Sequence, residues 1–138
     1  EADLIVLSMG SLFTSILPNL IPKEIKNAID ESAADIMYVC NIMTQPGETD
    51  NFKVSDHINI LNQYLGNKKI KIVLANKGKI SKEIKEKYST LEQKDPVKFD
   101  KNNLKGIKII EDNFVVVEDE ILRHNVNKLG FHIFSYLI

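Results

Sequence analysis

The sequence predicts an α/β fold, a doubly wound and mostly parallel sheet with helices on both faces. Two observations predict it. Short β-rich apolar runs alternate with segments whose apolar residues recur at helical spacing, the signature of successive βα units. The runs are also continuously apolar rather than alternating, as in "DLIVL" (Asp3 to Leu7), which suits strands covered on both sides. A length of 138 residues fits a single domain, residues 1–138, with a real core and little room for a second.

Each element has its own local reason. After "DLIVL" the Gly10-Ser11 turn leads into "SLFTSILPNL", a short helical pattern interrupted at Pro18, which lacks an N–H and clashes one turn back. Pro22 suits the first turn of a second helix, with Ile25 and Ile29 on one face. "DIMYVCNI" (Asp35 to Ile42) is the next strand, and Ser55 is the expected N-cap of a helix running to Leu65, where Gly66 stops it. "IKIVLAN" (Ile70 to Asn76) is a third strand, and Ser81 caps a helix whose exposed face carries lysines. Asp95-Pro96 is a break, "GIKII" from Gly106 and "FVVV" from Phe114 read as short strands, and Asn125 opens a helix with Val126, Leu129, Ile133 and Leu137 at helical spacing.

Composition narrows the function classes. The chain is 43% hydrophobic and 27% charged, with a formal net charge of −1. It therefore has no global field to attract nucleic acid or an anionic membrane. Eight lysines stand between Lys68 and Lys87, but without arginine or interleaved aromatics they read as a solvated helix face. No apolar stretch reaches the roughly 20 residues needed to cross a bilayer, and one cysteine, Cys40, cannot form an intrachain disulfide, so a reducing, cytoplasmic setting is expected. The chain begins "EADLIVL" without an initiator Met and reads as a portion of a longer protein.

In an open parallel sheet, ligands bind beyond the carboxyl ends of the strands, so the loops after Leu7, Ile42 and Leu74 come first. At Gly10 and Ser11, free N–H groups and a helix start favour a phosphate, with Thr14 and Ser15 adding hydroxyls; a simple helix cap explains the same residues equally well. The second loop, "CNIMTQPGETDN", carries Asn41, Thr44, Gln45, Glu48, Thr49 and Asp50 around Gly47. Those side chains suit a sugar or a base edge, or a loop bonded to itself. Glu48, Asp50 and Asp56 could hold a hard cation such as Mg²⁺. His57 could face this loop, and Arg123-His124 could meet an anion. His132 reads as an exposed residue of the last helix and Cys40 as a buried, inert thiol. The three histidines lack zinc-ligand spacing.

"GSLFTSILPNL", "CNIMTQPGETD", "SDH" and "LRHN" stand in an order and spacing that resemble the 2-phospho-L-lactate transferase-like superfamily, most closely its bacterial gluconeogenesis factor (YvcK) branch. The resemblance runs over essentially the whole chain. It implies a Rossmann-like fold lacking its N-terminal glycine-rich half, and a nucleotide ligand bound across Gly10, Ser11, Thr14, Asn41, Thr44, Gln45, Gly47, Glu48, Thr49, Asp50, His57 and Arg123. In the gluconeogenesis factor branch the implied ligand is a UDP-sugar, with a regulatory role in cell shape or wall synthesis on gluconeogenic carbon sources. In the transferase branch it is phospholactyl or phosphoryl transfer with Mg²⁺, for which Asp50 and Asp56 are the candidate ligands. The family's usual Gly-Pro-Gly-Ser is replaced here by Ser8-Met9-Gly10-Ser11. The resemblance implies a phosphorylated small-molecule partner and leaves homo-oligomerisation open.

Overall fold

The computed structural model describes all residues from Glu1 to Ile138. Four strands, β1 (Leu4–Leu7), β2 (Asp35–Val39), β3 (Ile70–Asn76) and β4 (Lys108–Asp112), form one sheet in the order β1-β2-β3-β4, parallel throughout. Their carboxyl ends are level: Leu7 pairs with Tyr38, Val39 with Leu74, and Asn76 with Asp112. Between β1 and β2 a π-helical turn (Leu12–Ile16) runs into α1 (Leu17–Leu20) and then α2 (Lys23–Glu31). Pro18 stands in the first turn of α1, where no N–H donor is required, so the chain passes it without a break.

Alternation along the strands assigns the two faces. Ile36, Tyr38, Cys40, Val73 and Ala75 pack with Leu12 of the π-helical turn and with Leu20, Ile29, Ile58 and Leu61 from α1, α2 and α3 (Val54–Tyr64). Met37, Val39, Ile72 and Leu74 point the other way, onto Phe114 and onto Leu129 of α5 (Val126–Leu137). Helices therefore cover both faces. A third, smaller cluster of Ile42, Ile80 and Val115, joined by Ile84 and Leu122, brings α4 (Lys82–Glu92) against a hairpin beyond the main sheet. The lysine-rich segment is a solvated face, with Lys82 paired to Glu86 one turn on at 3.6 Å.

That hairpin is where the structure departs most from expectation. "FVVV" continues as β5 (Val115–Glu118), and a sixth strand, β6 (Ile121–His124), returns antiparallel to it. Asp119 (φ 49°) and Glu120 (φ 59°) form its two-residue left-handed turn. Two smaller corrections follow. β2 ends at Val39, although Cys40 N–H still donates to Leu74 O at 3.0 Å. Lys53, not Ser55, is the N-cap of α3, with the Asp56 carboxylate accepting Lys53 N–H at 2.8 Å; Ser55 lies in the first turn and donates its hydroxyl to Asp100 at 2.5 Å.

The join between β3 and the hairpin is tight. Asn76 Oδ1 accepts from Gly78 N–H (3.1 Å) and Phe114 N–H (2.9 Å), while Asn113 Oδ1 accepts from Val115 N–H (3.2 Å). A Cβ on Gly78 would stand 1.9 Å from Asn113 Oδ1 and 3.0 Å from the Asn113 Cα. Relief requires moving backbone, so Gly78→Ala is expected to lower stability by about 1–3 kcal/mol, read from the urea midpoint. An unchanged midpoint would show that the turn is looser than its hydrogen bonds suggest.

Candidate functional site

Two loops leave the carboxyl edge of the sheet side by side, because β1 and β2 are neighbours. They are tied across the edge by Asn41 Nδ2, which donates to Gly10 O at 2.8 Å, and by Ser11 Oγ, which donates to Glu48 Oε2 at 2.7 Å. The second loop is fixed from behind, since Thr44 N–H donates to Asp95 O (2.8 Å) and Asp95 N–H donates back to Thr44 Oγ1 (2.9 Å). Opposite stand the end of α4 and the β5–β6 hairpin, locked together where Leu122 N–H donates to Tyr88 Oη at 2.9 Å. Between these walls lies a cleft of about 510 Å³, lined by Met9, Gly10, Asn41, Ile42, Met43, Thr44, Gln45, Tyr88, Glu92, Lys94, Ile121, Leu122 and His124.

Its lining carries donors as well as acceptors: Lys94 has N–H groups beyond the one paired with Glu92, and the Tyr88 hydroxyl accepts from Leu122 N–H and keeps its own hydrogen to donate. Asn41 Oδ1 and Gln45 Oε1 are buried and have no hydrogen-bond partner. Leaving a buried acceptor without a partner costs about 1–3 kcal/mol, and both oxygens are closed off from solvent rather than open to the cleft. His124 Nε2 faces Cys40 O at 3.4 Å; since a carbonyl only accepts, the proton is on Nε2, and burial lowers the pKa of the ring and keeps it neutral. Lys94, the cleft's lone ammonium, is paired with Glu92 at 2.6 Å.

The family described as 2-phospho-L-lactate transferase CofD matches residues 1–115. The chain belongs to the CofD family. Among curated relatives, the gluconeogenesis factor of Bacillus subtilis is 43% identical over 94% of the chain, and that of Halalkalibacterium halodurans is 42% identical over the same share. A Clostridium acetobutylicum relative is 46% identical, again over 94% of the chain. A crystal structure of a Bacillus halodurans member of the UPF0052 family superposes with a TM-score of 0.90 at 42% identity, covering 96% of the chain. The chain spans 41% of each of the two named gluconeogenesis factors, 29% of the Clostridium protein and 43% of the solved one.

Within this CofD-family chain the expected residues separate into three groups. Gly10, Asn41, Thr44 and Gln45 line the cleft. Ser11, Thr14 and Glu48 form a closed cluster beside it: Thr14 Oγ1 donates to Ser11 Oγ at 2.5 Å, and the Ser11 hydroxyl in turn donates a hydrogen bond to Glu48 Oε2. The helix start expected to hold a phosphate thus already faces a carboxylate of the chain. Gly47, Thr49 and Asp50 serve their own loop. Gly47 takes φ 75°, its N–H donates to Asp50 Oδ2 at 2.8 Å, and Thr49 Oγ1 accepts from Gln45 N–H at 2.8 Å.

The remaining expected residues lie outside the cleft lining. His57 does not face the loop; it is fully buried beneath it, against Tyr38 at 6.3 Å and Phe52 at 5.4 Å between ring centroids. Arg123 is exposed on the hairpin between the cleft-lining Leu122 and His124, with Nε 3.8 Å from Glu118. His132 is not free on the surface but meets Asp112 at 3.0 Å. Asp50 and Asp56 each accept a backbone N–H, from Gly47 and Lys53, with one carboxylate oxygen, and neither lines the cleft. Cys40 is the buried thiol expected, its pKa pushed up to about 12 by burial. Sequence reasoning missed Met9, Met43, Tyr88, Glu92, Lys94, Ile121 and Leu122, all but the two methionines on the α4–hairpin wall. Recognising the Glu118-Asp119-Glu120-Ile121 turn as a hairpin would have found that wall.

Proposed function

We propose that the chain forms the ligand cleft of a gluconeogenesis factor, one that binds a UDP-sugar-type nucleotide ligand and regulates cell shape or wall synthesis on gluconeogenic carbon sources. A cytoplasmic location goes with that role, and no helix is long and apolar enough to cross a membrane. The observation that carries the reading is the cleft of about 510 Å³ on the carboxyl edge, where Gly10 of the first loop and Asn41, Thr44 and Gln45 of the second stand opposite the hairpin. Apolar walls with a few convergent polar groups at this edge are what a small nucleotide ligand requires. The relatives named gluconeogenesis factor support it in kind. The Mg²⁺-dependent transferase reading draws on the family's description, and neither Asp50 nor Asp56 lines the cleft.

Calorimetric titration with UDP-N-acetylglucosamine tests the proposal. Saturable heat with a Kd at or below about 1 mM, equivalent to about −4.1 kcal/mol, is the expected result. No heat at millimolar ligand would count against it.

A further inference from the structure

We infer that Lys94 is the residue of this cleft that clasps the diphosphate of a nucleotide sugar, and that Glu92 holds its ammonium until the ligand displaces the carboxylate. The inference rests on the nucleotide-sugar reading and adds which side chain meets the ligand's charge.

Charge is scarce at the cleft. Of its lining residues only Glu92 and Lys94 carry any, because His124 is kept neutral by burial, and the helix start beside it is already faced by Glu48 through Ser11. Lys94 stands on a fixed base. It follows Gln93, which closes α4 in a left-handed conformation (φ 54°), and its own N–H donates to Tyr88 O at 3.1 Å. The next residue, Asp95, exchanges backbone and hydroxyl hydrogen bonds with Thr44 on the opposite loop. Anchors on both sides set the backbone, so a change of partner needs only the lysine side chain to move.

Glu92 is badly placed for a residue that serves folding alone. It is the last residue of α4, where the negative end of the helix dipole disfavours a carboxylate. Its pair with Lys94, at 2.6 Å, leaves both side chains partly open to water, the lysine 34% exposed and the glutamate 45%, and exposed pairs of this kind contribute little to stability. A diphosphate carries more negative charge than a carboxylate and presents more acceptor oxygens, so it competes for the ammonium on favourable terms. Like charge then drives Glu92 outward, and its exposure leaves it room to turn into solvent.

Calorimetric titration of the whole chain with UDP-N-acetylglucosamine, repeated on two single variants, tests the inference. Lys94→Gln should weaken binding by about tenfold or more, and Glu92→Gln should tighten it by about threefold, because the ammonium is released. Uridine and N-acetylglucosamine, which bring the two ends of the ligand without the diphosphate, should not distinguish the variants from the unaltered chain. The opposed signs are the signature: a merely structural ion pair, broken from either side, would shift affinity in one direction. Should Lys94→Gln prove unfolded by its urea midpoint, the Glu92→Gln result decides, since that variant relieves the helix end and should keep its midpoint. Unchanged or weakened binding by Glu92→Gln, unchanged binding by a folded Lys94→Gln, or an equal loss for uridine would overturn the assignment and leave the nucleotide-sugar reading standing. Absence of any binding by the unaltered chain would bring down the nucleotide-sugar reading, and this inference with it.

Discussion

Phe114→Ala is expected to destabilise the chain by about 3–5 kcal/mol, a large part of the roughly 5–15 kcal/mol that holds a domain together. Phe114 is 2% exposed and is the meeting point of three elements. Its ring packs with Leu74 and Ile72 of β3 and with Leu129 of α5. Its N–H donates to Asn76 Oδ1 at 2.9 Å, and its carbonyl accepts from Asn125 N–H at 2.7 Å, joining sheet, hairpin and α5. Emptying that position leaves a cavity in a face only one helix deep, and loosens the hairpin that carries Leu122 and His124 into the cleft. Phe114→Leu, which keeps most of the volume, should cost less than about 1.5 kcal/mol. Urea denaturation decides it: a loss below about 1 kcal/mol for the alanine variant would show that α5 and the hairpin are held independently of this ring.

Stability is also expected to fall as pH drops below about 6.5, before the ordinary carboxylates titrate. His57 is fully buried, and Nδ1 contacts Lys53 O at 3.0 Å, which places the proton there and leaves Nε2 without a partner. Burial lowers its pKa, outweighing the Lys53 contact that raises it, and burial lowers that of His124 in the same way. With the folded values below the unfolded one, the unfolded chain takes up protons first as the pH falls. The stability contributed by a neutral His57 is thus complete above about pH 6.5 and is lost between there and its folded pKa, at up to about 1.4 kcal/mol per pH unit. A further loss below about pH 4 follows from Asp100, where hydrogen bonds from Ser55 and Asn103 outweigh burial, and from Asp112, held below the carboxylate range first by Lys128 and then by His132. His57→Phe should flatten the upper part of the profile. Equal slopes for the two proteins between pH 6.5 and 5 would show that His57 protonates in the native state.

Much of this architecture is legible in the residues themselves. "DLIVL", "DIMYV" and "IKIVLAN" are continuously apolar because both of their faces are covered, and that pattern places them in a parallel sheet without further help. The Asn41–Gln45 wall follows, since it leaves the carboxyl end of such a strand. The opposite wall was hidden because its hairpin turn uses Asp119 and Glu120 in left-handed conformations, where Asn-Gly or Asp-Gly is the usual signal. Glu48 against Ser11 and Asp100 against Ser55 were hidden for another reason: each joins residues far apart in sequence, and spacing carries no information about such pairs. Ser55 looked like a cap because its chemistry fits one, yet Asp100 recruited its hydroxyl and left Lys53 and Asp56 to start the helix.

The central claim is that the ligand site is the cleft between the Asn41–Gln45 loop and the β5–β6 hairpin. Amide chemical-shift mapping during titration with UDP-N-acetylglucosamine tests it most directly. The account predicts that the largest shifts fall at Met9 and Gly10, from Asn41 to Gln45, and at Leu122 and His124, on both walls at once. Saturable shifts confined to the opposite edge of the sheet, around Ala34, Asp35 and Asn67, or shifts on one wall without the other, would contradict it.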